Sequence, residues 1–145
     1  MSSSRSFATF HVAEFYFGVP SATVLELTNA TAITPVPLAP TAVSGLINLR
    51  GQIVTAIDLR KRLSMAPRAE LQDTITLFMS HGGIMFGLVV DKISDILELD
   101  PLQYDKPPSH LPVAAVDLII GFHKLPDKLM FVLDVDKLIY GCINE

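Results

Sequence analysis

The sequence predicts an all-β fold in which two similar small barrels pack together as one unit. Three observations carry that expectation. Short β-rich runs separated by turn residues fill most of the chain, helical signals are few and short, and one stretch of the chain is repeated. With 145 residues there is material for one substantial core, but little for two domains with separate cores.

The elements follow in order. Phe7–Val12 and Phe15–Val19 flank Ala13-Glu14 and form the pattern of a hairpin. Ile53–Ile57 and Thr74–Met79 are rich in β-branched and large apolar residues. Ser80-His81-Gly82-Gly83 is a turn, and Ile84–Val90 returns as the next strand. Leu129–Leu133 is a further strand. Asp58 is placed to cap a short basic helix over Leu59–Leu63, and Asp134 to cap Val135–Tyr140. Two proline-bearing stretches, Pro35 to Pro40 and Pro107-Pro108 with Pro112, predict extended connectors or edge segments. Proline supplies no ladder donor and fixes φ.

The repeat is the most informative feature. Gly45–Leu63 and Gly121–Ile139 align without a gap at an offset of 76, and each carries an aspartate, Asp58 or Asp134, set to cap a short helix. Upstream, Phe17-Gly18-Val19 resembles Phe86-Gly87-Leu88, and Val24-Leu-Glu-Leu27 resembles Ile96-Leu-Glu-Leu99. The expected unit spans residues 5–145, with two duplicated barrel halves dividing near 64–73. Neither half buries its own surface well, so the halves should form one cooperative body, and closure into barrels would remove exposed edges.

Composition excludes several classes. Half of the residues are hydrophobic and mean hydropathy is +0.43, yet no apolar run approaches a membrane span, which needs about 18 uninterrupted residues. The surplus suits strands buried on both faces, or apolar surface kept for partners. The amino terminus lacks the apolar core of a secretory leader, so a cytoplasmic location is expected. Cys142 is the only cysteine, which excludes an internal disulfide and a cysteine-based zinc cage. His11, His81, His110 and His123 are scattered without helical metal-site spacing, and His81 and His110 are expected in solvent. No phosphate-binding glycine loop or serine nucleophile motif is present. One aspartate per half evokes an aspartic protease, but neither Asp58 nor Asp134 is followed by a small hydroxyl residue and glycine. No catalytic residue, cofactor or metal is therefore assigned. The net charge of −4 argues against nucleic acid as a main partner. Arg50, Arg60, Lys61, Arg62 and Arg68 nevertheless gather five of the 11 basic residues in one region, most simply a solvated helix face.

Positions at which the two halves differ are candidates for function. Asn48-Leu49-Arg50 faces Lys124-Leu125-Pro126. Arg50 precedes Gly51 where a hairpin must turn, which places its guanidinium at the surface. Two compatible readings stand: an intramolecular pair with Glu26, the acid inside Val24–Leu27, or contact with a partner.

Gly45 to Arg60, with its N-L-R-G turn, apolar strand and D-L-R end, resembles the signature of the CheW family of chemotaxis adaptors. Phe17-Gly-Val-Pro20, Ile33-Thr-Pro-Val-Pro37 and Gly87-Leu-Val-Val-Asp91 resemble family segments at the right spacing, so the likeness runs from about Phe7 to Ile139. The resemblance implies two packed SH3-like, five-stranded β-barrels with a few short helices, and no catalysis. It also implies two partners: the regulatory domain of a CheA-type histidine kinase and the cytoplasmic tip of a methyl-accepting chemoreceptor. By the same likeness Val24, Glu26, Gly45, Asn48, Leu49 and Arg50 fall at receptor-binding positions. The Pro126-Asp127 turn and the Pro107-Pro108 loop depart from the signature, and the chain stops at Glu145 without the long terminal helix of some relatives. Alternatives are an adaptor of a pilus-motility or other non-flagellar pathway, and a nucleic-acid-binding barrel using Arg50 and Arg60–Arg62. Neither a nucleic-acid partner nor membrane insertion is expected of the leading reading.

Overall fold

A computed structural model describes residues 5–29, 33–66, 73–99, 104–105, 113–140 and 142. In chain order it contains β1 (Arg5–Val12), β2 (Phe15–Pro20), β3 (Val24–Asn29), β4 (Val43–Leu49), β5 (Gln52–Asp58) and α1 (Leu59–Arg62). There follow β6 (Ile75–His81), β7 (Ile84–Val90), β8 (Lys92–Leu99), β9 (Tyr104–Asp105), α2 (Val113–Leu118), β10 (Ile119–Lys124), β11 (Leu129–Leu133) and α3 (Val135–Ile139). The expected hairpins and capped helices are all present. The Asp58 carboxylate accepts a hydrogen bond from the Arg60 amide at 3.0 Å, and that of Asp134 accepts one from the Lys137 amide at 3.3 Å. The Pro107-Pro108 loop and His110 lie outside the described residues.

The strands form two SH3-like sheets, ordered β3-β6-β7-β5-β4 and β8-β1-β2-β11-β10, the second extended by the two-residue β9. The repeat is visible in every pairing. Val43 opposite Ile57 and Gly45 opposite Ala56 recur as Ile119 opposite Leu133 and Gly121 opposite Val132, at the offset of 76. The hairpin pair Phe10–Phe17 recurs as Met79–Phe86 at an offset of 69.

The two halves nevertheless exchange hairpins. Hairpin β6–β7 completes the first sheet, where β7 runs parallel to β5, while β1–β2 completes the second, where β2 runs parallel to β11. The expected division near 64–73 separates the two copies of the repeat but not the two sheets. That stretch links α1 to β6 within one sheet, and the chain leaves that sheet only at Asp91. A correction concerns Val24–Leu27 and Ile96–Leu99. Val24 lies opposite Met79 and Leu27 opposite Leu77, as Ile93 lies opposite Phe10 and Ile96 opposite Ala8. Val24 thus corresponds to Ile93, and the sequence match was three residues out of register. An odd slip exchanges the faces of a strand. Val24 and Ile93 both pack on the main core, whereas Leu27 and Ile96 are exposed.

That main core crosses both sheets, joining Phe10, Phe17 and Phe131 to Ile57, Leu77 and Phe86. Among the described strand pairs neither sheet closes fully into the expected barrel, and a smaller cluster packs on each: Ile47, Val54, Ala56, Phe78 and Val89 in the first barrel-like half, Phe7, Tyr16, Met130 and Val132 in the second. Within the basic cluster Lys61 is solvated as expected, but Arg60 and Arg62 are engaged by the fold and Arg68 lies outside the described residues. Arg60 points inward, its guanidinium reaching the Asp91 carboxylate at 2.8 Å and the Ala66 carbonyl at 3.0 Å. Asp91 also accepts from the Ala13 amide at 2.7 Å, so the ion pair ties α1 to the β1–β2 turn. Arg62 donates to the carbonyls of Lys137 and Leu138, bracing α1 against α3. Two of the three arginines needed for a nucleic-acid surface are thereby committed to the fold. His81 ends β6 rather than lying free in a turn, with Nε2 2.7 Å from the Asp136 carboxylate.

Candidate partner-binding site

The site is built on the hairpin β4–β5. Its two-residue turn, Arg50-Gly51, has φ of +53° and +89°, the left-handed pair of a type I′ turn. That turn type favours Asn, Asp or Gly at both positions, and a left-handed arginine costs about 1 kcal/mol. Asn48 offsets part of this: its side-chain carbonyl accepts a hydrogen bond from the Gly51 amide at 2.8 Å. The equivalent turn in the second half carries Pro126 in place of Arg50, and proline cannot take a positive φ. One half uses a residue suited to a bend, while the other keeps an arginine that its own turn disfavours.

The Arg50 guanidinium lies 2.6 Å from the Glu26 carboxylate on β3, the two side chains being 81% and 29% exposed. The pair anticipated between these residues is therefore formed. Most of the guanidinium remains in solvent, so the contact orients Arg50 without sequestering it.

The remaining predicted residues take different places. Gly45 is buried with φ of +149°, and a Cβ there would overlap the Thr34 carbonyl oxygen. It sits at a β-bulge in β4 where Thr34 bridges to Leu46, so it shapes the hairpin and presents no side chain. Leu49 is half-buried against the Ile47 cluster. Val24 is half-buried against the main core. The structure thus brings Glu26, Asn48 and Arg50 together as a polar surface, with Val24, Gly45 and Leu49 as its support.

Sequence analysis missed three exposed apolar residues on the strands that carry this surface. Leu25 and Leu27 on β3 and Ile53, opposite Asn48 in the β4–β5 ladder, are 51%, 51% and 61% exposed. The signal was present as the run Val24–Leu27, in which every residue but one is apolar although β3 is an edge strand. An edge strand needs only one apolar face.

Ionisable groups elsewhere are arranged for structure. Asp58 and Asp134 cap helices. Burial pushes the Cys142 thiol above its usual range, opposite to the shift that activates a nucleophile. Burial, followed by the positive charges of Lys128 and Lys92, holds His11 below the ordinary histidine range. Among the described residues no group of three or more His, Cys, Asp or Glu is disposed to hold a metal ion. No described helix is long and apolar enough to cross a membrane.

The family model for the CheW-like domain matches residues 6–141. The chain belongs to the CheW family. It is 27% identical to the chemotaxis protein CheW of Klebsiella aerogenes over 135 residues, which is 93% of this chain and 81% of that one. It is also 29% identical to the protein FrzA of Myxococcus xanthus, covering 79% of this chain and 72% of the relative. Among solved structures, the scaffolding protein TtCheW from Thermoanaerobacter tengcongensis superposes with a TM-score of 0.82 at 28% identity, covering 93% and 92% of the two chains. The CheW-like fold expected from the duplication and the N-L-R-G segment is therefore the fold found, and the protein is a scaffold-family member of the chemotaxis type.

Proposed function

We propose that this CheW-family protein is a non-enzymatic, cytoplasmic adaptor that couples the tip of a chemoreceptor to a CheA-type histidine kinase. The observation that carries the proposal is Arg50: exposed, left-handed at a turn that disfavours it, and oriented by Glu26 at 2.6 Å. Strain retained at a surface position, with no packing gain to offset it, is expected where the side chain serves a partner. Arginine suits such contact, offering a planar fork of donors to carboxylates and helix-end carbonyls of a receptor bundle. Ile53, opposite Asn48 in the β4–β5 ladder, adds exposed apolar area beside it. Two such surfaces on one rigid body would hold kinase and receptor at a fixed geometry, so that a receptor rearrangement biases the kinase.

Arg50→Glu tests the proposal. The Arg50–Glu26 pair is solvent-exposed, and such pairs contribute about 0–1 kcal/mol, so the variant should melt cooperatively close to the parent. Binding to a receptor-tip fragment, measured by calorimetric titration, should weaken by about 30-fold, as for an interface hot spot. Unfolding of the variant, or unchanged receptor binding, would reduce Arg50 to a structural partner of Glu26.

A further inference from the structure

A cavity of about 420 Å³ lies between the second sheet and the β6–β7 hairpin, and the coupling role assigns nothing to it. Phe7, Ile120, Val132 and Val135 form its apolar walls. Its polar lining is Thr23, His81, His123, Asp134 and Asp136, with no lysine or arginine among the described lining residues. A space of this size falls within the range of small-molecule sites, which are apolar with a few directed polar groups.

The duplication supplies an internal comparison. At the offset of 76 the buried His123 stands where the first barrel has Ile47, and Asp136 stands where it has Arg60. Ile47 belongs to a close-packed cluster in the first barrel, and Arg60 is locked onto Asp91. In the second barrel the His123 ring instead lies 5.6 Å from that of Phe7, and Asp136 is 80% exposed, contacted by His81 from the β6–β7 hairpin. The same fold position therefore closes the structure in one half and presents a carboxylate beside an apolar cavity in the other. Asp134 contributes a second carboxylate, one oxygen of which is engaged by the Lys137 amide.

Two carboxylates line the cavity, Asp136 shared with the His81 imidazole, with no lysine or arginine among the described lining residues and the other walls apolar and aromatic, which selects positive charge on an apolar body. We propose that this cavity binds a small organic ammonium cation, with its apolar part against Phe7 and Val132 and its charged head at Asp134 and Asp136. The site is independent of the Arg50 surface, so its failure would leave the coupling proposal standing.

Phenethylammonium is a suitable probe, compared with 2-phenylethanol as the neutral isostere and phenylacetate as the anion. Amide NMR spectra of the full chain should show saturable shifts at Ile120, Val132 and Val135 with phenethylammonium. The alcohol should bind about tenfold more weakly, the loss expected for a charge-assisted contact, and phenylacetate should produce no shift. Asp136→Asn should weaken phenethylammonium binding by about the same factor. Ile120→Trp, at a half-exposed rim position, should block the cavity and abolish the shifts while the protein still melts cooperatively. Equal shifts with all three compounds, no saturable shift, or binding indifferent to both variants would overturn the proposal.

Discussion

Arg60 and Arg50 each pair with a carboxylate within 3 Å, yet exposure gives the two contacts different work. The side chains of Arg60 and Asp91 are only 13% and 7% exposed, against 81% and 29% for Arg50 and Glu26. In the buried pair the hydrogen bond to Asp91, helped by the nearby negative charge, holds the Arg60 guanidinium above its already high range and so keeps it charged. A charge so enclosed is tolerable only with its partner in place. Asp91→Ala is therefore expected to destabilise the protein by about 3 kcal/mol, and Arg60→Met with Asp91→Leu together by clearly less. Urea unfolding of both variants checks this, and a double variant as unstable as the single one would show that packing, not stranded charge, dominates. The two pairs were not equally legible in the sequence. Glu26 stood out as an acid in an apolar strand, and Arg50 as a residue at an unavoidable turn. Arg60 and Asp91 are joined only by the tertiary fold, and nothing in local patterning links a helix arginine to a strand-end aspartate 31 positions away.

The hairpin β4–β5 is aimed by its bulge. The register shift between Val43 and Gly45 recurs between Ile119 and Gly121, so the device belongs to the repeat and not to one binding surface. At Gly45 the backbone has a φ that side chains rarely adopt, and the space a Cβ needs is taken by backbone of residue 34. Backbone cannot yield as a flexible side chain can. Gly45→Ala is expected to cost about 3 kcal/mol, read as a lowered melting temperature, whereas Arg50→Glu should leave melting nearly unchanged. If Gly45→Ala melted like the parent, the bulge would not be what positions the turn. Strands and hairpins were readable from apolar runs and turn residues, since both are local properties. The register of the two edge strands was not. β3 and β8 each carry an extra residue against their partners, β3 between Val24 and Glu26 and β8 opposite Ala8–Phe10. Two similar apolar tetrapeptides then look equivalent in sequence while their side chains occupy opposite faces. The candidate site divides in the same way. Polar Glu26, Asn48 and Arg50 could be named from the sequence, but Leu25, Leu27 and Ile53 became visible only once their faces were known.

At the scale of the molecule, the exchange of hairpins decides how the protein can be divided. Residues 64–73 form the natural break in the sequence, and a cut there leaves every described strand and helix intact. The amino-terminal piece would keep β3, β4 and β5 but lose β6 and β7, two of the three interior strands of its own sheet. Its own hairpin, β1–β2, belongs to the other sheet, where it lies between β8 and β11. The carboxyl-terminal piece has the reciprocal defect. Each fragment would expose half of the main core, including Phe10 and Phe17 in one and Phe86 and Phe131 in the other. Exposed apolar area of this kind is worth about 25 cal/mol per Å² on burial, and unpaired strand edges add to the drive for association. Neither fragment alone should be a cooperatively melting monomer. Mixed in equal amounts, the two should reassemble into a single unit with one melting transition, because every hydrogen-bonded strand pair described here would be regained. Thermal melting and size-exclusion chromatography of each fragment and of the mixture distinguish the outcomes. Two independently folded monomers would mean that each half keeps its own hairpin and that the exchange does not hold in solution. Association of each fragment with itself is compatible with the exchange, since the equivalent pairings of β2 with β11 and β7 with β5 allow a hairpin from a second copy to fill the vacant place.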